Sequence, residues 1–406
     1  MRLRSASGLA ACAAIVALSA CGSSSSSSTS SSTGSASTSS SGGGSPIEVG
    51  LLAPFSGDYA IYGDGYQKGI DAWVEAHGKP TVDGRPVEIK QLDDQCDVAT
   101  GVAAFRRESK NLTAIIGPSC SSIAPPLKPL LEQMKVPMLD LGHAASITQD
   151  GKDGWTFRIS QPDSANQEAF GQYLLDDWKK QGITKIGVIH DTSVTDAEAA
   201  KTWARVAQKA GVDLVASADF DSGTTDFSPQ LLKLKNAGAQ GYVLQVFGPD
   251  ESRIIKQMGD LGIKAKIASA EDTPYSFVVN KETGPGIEGV RYYTDYAPGN
   301  DFSKQFEEAY KKVAPNAGAP LDIDWEGWLA MDVLMNALKQ PGAADSGDKL
   351  QAALAATKLP LGDATLSFDP NGDQTQTLTY AAHIADSKPV LDKLIVAPRS
   401  SYSDAK

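Results

Sequence analysis

From residue 47 onward the chain repeats one unit: a short apolar run, a turn, then a stretch whose apolar residues recur at helical spacing. Runs at 47–55, 87–92, 112–117, 137–141, 185–190, 212–220, 242–247, 265–270 and 289–293 read as strands. Stretches at 63–77, 100–111, 123–135, 166–182, 196–210, 228–237, 250–261, 301–313, 324–339 and 348–358 read as helices. In one of them Phe170, Tyr173, Leu174 and Trp178 fall at i, i+3, i+4 and i+8. Short strands at 366–368 and 378–384 close the pattern. Strands this continuously apolar are covered on both faces, so the expected class is α/β, with parallel sheets flanked by helices. There are too many strands for one sheet, and 406 residues suffice for two cores, so two lobes are expected. In open α/β sheets a ligand sits beyond the carboxyl ends of the strands. The residues there are small, hydroxylic, acidic or aromatic: Ser56-Gly57, Asp93-Asp94, Ser119 to Ser122, Gly142-His143-Ala144, Asp163, His190-Asp191, Phe247 and Glu271. Such a mixture suits a small zwitterion, with hydroxyls and helix N-termini for a carboxylate and acids for an ammonium.

The N-terminus has a different character. Arg2 and Arg4 precede an apolar stretch from Leu9 to Ala20, which reads as a secretory signal over residues 1–20. It is shorter than the roughly 20 apolar residues of a membrane span. It ends in Leu18-Ser19-Ala20-Cys21, which resembles a bacterial lipobox, making Cys21 the expected lipidation site. Residues 22–45 are almost all Ser, Gly and Thr, a composition that cannot bury a core. As a flexible coil they would span roughly 25–30 Å. Residues 21–45 are therefore expected to tether a folded body to the outer face of a bacterial cell membrane. The net charge is −12, and cleavage would remove two arginines and no acid, leaving −14. That excludes a nucleic-acid footprint, which is basic. Of four cysteines, Cys12 leaves with the signal and Cys21 carries lipid. Cys96 and Cys120 remain, an even pair in an oxidising compartment, which favours a disulfide over two buried thiols.

The run Ile47-Glu48-Val49-Gly50-Leu51-Leu52-Ala53-Pro54-Phe55-Ser56-Gly57, followed by Tyr62-Gly63 and Gly69, resembles the opening of type I periplasmic binding proteins of the leucine/isoleucine/valine-binding family. The likeness continues through Asp93-Asp94-Gln95-Cys96-Asp97 and Ile115-Ile116-Gly117-Pro118-Ser119-Cys120-Ser121, and reaches the rest of the chain more weakly. It implies two Rossmann-like lobes joined by three crossovers. The expected lobes are 46–163 with 295–360, and 164–294 with 361–406. It also implies a Cys96–Cys120 disulfide. Ser121 takes the place of the serine that binds the ligand carboxylate, Asp163 and Glu271 those of acids facing the ammonium, and Tyr62 and Phe247 those of aromatic walls. The plain alternatives are helix caps for Ser121 and Asp163 and ordinary packing for the aromatics. The chain departs from the family after two strands. Gly142-His143-Ala144 lacks the usual hydroxyl, and Thr195 stands where many members carry a tyrosine. Both positions are expected at the ligand. Trp325 could replace an aromatic wall, although Trp325 and Trp328 also suit a helix core.

The resemblance implies a substrate-binding component of an ABC importer, with a branched-chain or other amino acid as ligand, a membrane permease as partner, no cofactor, and a monomeric state. A urea-like amide or an aromatic carboxylate is the alternative ligand. A sensory ectodomain or a lipoprotein hydrolase is the alternative class. Nothing favours enzymatic chemistry. His77, His143, His190 and His383 lack metal-ligand spacing, and there is no P-loop and no nucleophile elbow. Asp369 to Asp373 has its glycine one place early for a calcium loop and reads as a turn.

Overall fold

The computed structural model describes residues 44–149, 154–246, 249–270, 273–275, 283–296, 298–299, 301–362 and 364–402. The expectations for the signal segment, Cys21, Phe247 and Glu271 lie outside these residues. Two sheets organise the body. The first has the order β2-β3-β1-β4-β5-β6, with β1 Ile47–Ala53, β2 Thr81–Val82, β3 Arg85–Asp93, β4 Leu112–Ile116, β5 Met138–Asp140 and β6 Thr156–Arg158. All neighbours are parallel except the β2–β3 hairpin. That hairpin turns at Asp83-Gly84, both with positive φ, the two-residue turn that matches strand twist.

The second sheet holds β7 Lys185–Asp191, β8 Asp213–Phe220, β9 Gly241–Gln245, β10 Lys266–Ser269 and β11 Arg291–Thr294. Two more strands, β14 Gln376–Ala385 and β15 Lys388–Pro398, complete the order β15-β14-β11-β10-β9-β7-β8. β12 Leu359–Leu361 and β13 Ala364–Leu366 form a separate small hairpin. β14 runs antiparallel to β11, and β15 antiparallel to β14, so this sheet is parallel only in its first five strands. β15 escapes the sequence pattern because it is an edge strand whose residues are mostly exposed.

The strands alternate their side chains between two cores, as the period of two requires. In the first sheet Val49, Leu51, Ala53, Ala114 and Ile116 face one cluster. Leu52, Leu112, Ile115 and Met138 face the other. The second sheet divides likewise, with Ile186, Val188 and Tyr293 on one side and Ile189, Leu244 and Tyr292 on the other. The chain passes between the sheets three times: after β6, after β11, and between β13 and β14. Leu361, Ala364, Leu366 and Phe368 pack in the first core, so the segment 361–368, grouped by sequence with the second lobe, lies against the first.

One helix contact shapes the opening between the sheets. The helix Ala60–His77 crosses the helix Asp322–Leu338 at glycines. A Cβ on Gly69 would stand 1.9 Å from the Asp324 carbonyl oxygen, and one on Gly327 would stand 2.2 Å from that of Tyr66. Only glycine at both positions lets the backbones meet, and the contact sets Asp322 and Ile323 beside Tyr66. Trp325 and Trp328 are buried in this layer, Trp325 among Tyr296, Phe302 and Phe306. They are core residues, not cleft walls.

Candidate functional site

The carboxyl ends of both sheets open on one cavity of about 320 Å³. Most of its walls are loops or helices that follow a strand; Asp322 and Ile323, at the start of the helix Asp322–Leu338, are the exception. After β1, Tyr59, Tyr62 and Tyr66 line it. After β3, Asp94 accepts from the Cys96 N–H at 2.8 Å and Asp97 caps the next helix through the Thr100 N–H at 2.8 Å, which fixes Cys96 at the wall. After β4 come Ser119 to Ser122, and after β5 His143. Cys96 and Cys120 are joined, with Cα atoms 5.5 Å apart, so a disulfide forms part of the lining. The second sheet contributes Asp191 to Thr195 after β7. Here Asp191 Oδ1 accepts from the Ser193 N–H at 2.7 Å, and Ser193 caps the helix Val194–Ala210 by accepting from the Asp196 N–H at 3.2 Å. Thr195 is thereby held in the first helical turn, facing the first lobe.

Ser121 is the junction. Its Oγ accepts from the Ala144 N–H at 3.2 Å and from the Thr195 hydroxyl at 3.0 Å. With both lone pairs engaged, the hydroxyl proton is what Ser121 has left to offer a ligand oxygen. It does not cap the following helix, whose N-cap is Ile123. The Thr195 bond crosses between the lobes, as does the bond from the Ser146 N–H to Glu198 Oε2 at 3.3 Å. Ser119 Oγ, also at the wall, is buried without a hydrogen-bond partner among the described residues.

Of the remaining expected residues, Tyr62, His143 and Thr195 line the cavity, and Gly142, Ala144 and Asp163 stand behind it. The Gly142 N–H donates to Asp140 at 2.9 Å and its carbonyl accepts from Ser160 at 2.9 Å, so Gly142 shapes the loop. The Ala144 carbonyl is held by Arg158 at 2.7 Å. Asp163 is the first residue of the helix Asp163–Lys180, not its cap, and accepts from the Tyr293 hydroxyl at 3.2 Å.

His143 is the electrostatic centre. Its Nε2 lies 3.3 Å from Glu326 and its Nδ1 3.9 Å from Asp163 and 3.1 Å from the Gln161 carbonyl. Burial alone would strip its proton, but Glu326, Asp163 and Asp295 outweigh it and push the imidazole up to about 10. Burial raises Asp163 to about 6 and Asp295 to about 7, each opposed by His143. Donor atoms of His143, Asp295 and Glu326 gather within 4.8 Å, a grouping of metal-ligand type in which the imidazolium supplies the positive charge. Asp369 Oδ1 accepts from the Asn371 and Asp373 N–H groups, and Asp373 pairs with Arg158 at 2.8 Å, so that loop is a turn clamped by arginine.

Sequence reasoning missed Tyr59, Tyr66, Asp322, Ile323, Glu326 and Asp295. Asp322 to Glu326 carried no usable signal, because they sit on a helix whose pattern reads as core and which follows no strand. Tyr66 carried one: it lies four residues after Tyr62, on the same helix face.

The periplasmic binding protein family matches residues 46–389. The chain is 26% identical over 339 residues to a Leu/Ile/Val-binding protein homolog 2 of Brucella abortus, covering 80% of this chain and 87% of that protein. Its fold is similar to that of the leucine-binding protein LivK of Thermotoga maritima, with a TM-score of 0.76, 22% identity, and 87% and 99% of the two chains covered. It is equally similar to a solute-binding protein of R. palustris solved with benzoate, with a TM-score of 0.76, 18% identity, and 86% and 96% covered. Among the described residues no helix is long and apolar enough to cross a membrane. The chain belongs to the periplasmic binding protein family, as a type I, extracytoplasmic solute-binding protein related to the Leu/Ile/Val-binding proteins.

Proposed function

We propose that the chain captures an amino acid, branched-chain or other, in the cleft between its lobes and presents it to an ABC permease, while a lipid on Cys21 and the tether 21–45 hold it at the membrane. The observation that carries this reading is the cavity of about 320 Å³ at the carboxyl ends of both sheets, bridged by the Thr195–Ser121 bond. Ligand that contacts both lobes binds the closed arrangement more tightly than the open one and shifts the population towards it. Ser121 and Ser119 hold the carboxylate. Tyr62, with Phe247, flanks the apolar part. Glu271, and Asp163 acting through His143, set the field at the ammonium. The lobes are 46–163 with 295–360, and 164–294 with 361–406, apart from the segment 361–368 noted above.

A second reading is an aromatic carboxylate. Three tyrosines on one wall favour it, and fold relatives have been solved with benzoate and 4-hydroxybenzoate. Thermal melting of the purified protein against amino acids, amides and aromatic acids decides between them. A solute at 100 times its Kd adds about 2.7 kcal/mol of stability. A rise with amino acids alone supports the first reading, and a rise with aromatic acids alone the second. No rise with any solute rejects the binding role. Lipidation is tested separately: Cys21→Ser should move the protein from the detergent phase to the aqueous phase.

A further inference from the structure

The three crossings between the sheets are tied together at one residue. Gln161 lies on the first crossing, three residues past the end of β6, and is 4% exposed. Its N–H donates to Asp295 Oδ2 at 3.1 Å, and Asp295 opens the second crossing directly after β11. Its side-chain amide donates to the Leu378 carbonyl at 3.0 Å and accepts from the Leu378 N–H at 3.0 Å, where the third crossing has just entered β14. Its own carbonyl accepts from His143 Nδ1 at 3.1 Å, and His143 lines the cavity. The backbone N–H, the backbone carbonyl and both ends of the side-chain amide are thus committed, to the other two crossings and to the cavity wall. Three bonds run alongside. The Gln374 amide of the third crossing donates to the Ile159 carbonyl of the first. Thr379 Oγ1 donates to Asn166 Oδ1 at 2.7 Å, and Asn166 Nδ2 donates to Asp295 Oδ1 at 2.8 Å. A void of about 20 Å³ bordered by Gln161, Asp295, Glu326 and Leu378 leaves these groups room to shift. These ties are made while the lobes touch directly, through Thr195–Ser121 and Ser146–Glu198. They therefore support the arrangement in which both lobes face one cavity. Gln161 does not line that cavity, and His143 is the wall residue that bonds to it.

We propose that Gln161 is the pivot of lobe closure, a positioning residue that never touches the solute. It holds the three crossings in one register and, through His143, ties that register to occupancy of the cavity. This rests on the solute-binding reading above and adds the part that turns capture into closure. A solute packed against His143 fixes the imidazole on the Gln161 carbonyl, and the other two crossings follow through Asp295 and Leu378. Cutting the ties at Gln161 weakens the arrangement that the solute binds, so affinity falls although no solute contact is lost.

Energy transfer between dyes placed at Lys110 of the first lobe and Lys264 of the second, both exposed, reads the distance between the lobes in the full-length protein. L-leucine and benzoate are the probes, and titration calorimetry gives their affinities. In the wild type, the probe that binds should shift the transfer distance. Gln161→Met removes both bonds to Leu378 at similar volume. It should bind that probe at least 5-fold more weakly and show less than half of the wild-type shift, with a cooperative melt. Gln161→Glu keeps the side-chain shape and the bond from the Leu378 N–H but loses the donor to its carbonyl. It should change both readings in the same direction by less, and it carries the test if Gln161→Met does not fold. A folded Gln161→Met protein with wild-type affinity and the full shift would overturn the inference and leave the solute-binding role intact. Failure of both variants to fold would make Gln161 a structural residue and overturn it too. A wild type that binds neither probe and shows no shift would reject both the inference and the reading it rests on.

Discussion

Replacing His143 by leucine strips the positive charge from a cluster of three acids. In the folded protein Glu326 is 3% exposed and lies 3.3 Å from the imidazole, with Asp163 and Asp295 behind. Removing one partner of a buried ion pair costs about 3–5 kcal/mol, because the other charge stays buried alone. The His143 side chain is 14% exposed, and the acids can take up a proton, so the lower figure applies, about 3 kcal/mol. Glu326→Gln in the same chain removes the stranded charge and should restore about 2 kcal/mol, a coupling visible in a double-mutant cycle. The pH dependence has a definite sign. His143 is raised in the folded state, so its contribution is fully present below about 6.5 and is lost as pH rises through about 10. Guanidinium unfolding at pH 6.5 and 9 should show the wild type losing stability across that window and the double variant losing less. A His143→Leu protein within 0.5 kcal/mol or so of wild type, or strict additivity in the cycle, would refute the placement of the imidazolium between these acids.

Three further outcomes follow from the same geometry. Ser121→Ala should weaken ligand binding by about 1–3 kcal/mol, read by titration calorimetry, since a desolvated ligand oxygen loses its donor; unchanged affinity would remove Ser121 from the site. Gly69→Val should fail to fold or lose several kcal/mol in a denaturant melt, because its Cβ would stand 1.9 Å from the Asp324 carbonyl oxygen; a normal melt would show that the helix contact is looser than described. Reduction of Cys96–Cys120, which closes a loop of sequence separation 24, should cost about 3 kcal/mol of stability and weaken binding as well, because both cysteines line the cavity. Loss of stability with unchanged ligand affinity would make the disulfide a remote staple only.

The parts of the fold that were legible in the sequence are those whose pattern has a single physical reading. β1 is apolar almost without a break because both its faces are covered, and its end at Ala53 leads directly to the tyrosine wall. The strand-end rule then points to Ser121 and His143, and the family resemblance to Thr195; three separate strand ends bring them to one cavity. Illegible parts had other causes. β2 is two residues long, and β6 three, below the length at which period two can be counted. The Asp386-Ser387 turn before β15 has positive φ at both positions without a glycine, so the usual hairpin signal is missing. Asp322 and Glu326 reach the site through a helix crossing set by Gly69 and Gly327, a contact between segments more than 250 residues apart in the chain. Asp163 was found from its place among the strand-end residues and from the family resemblance, but its distance behind His143 depends on packing that residue type alone does not encode.

The proposed function places the solute in the cleft beneath Ser121 and Thr195. Thr195→Trp would fill that cavity from the second lobe while leaving the sheets untouched. Titration of wild type and variant, beside their ligand-free melting temperatures, tests the claim directly. The wild type should show saturable one-to-one binding, and the variant none while melting normally. A normally folded Thr195→Trp protein that binds solute as the wild type does would contradict it, and would place the ligand elsewhere.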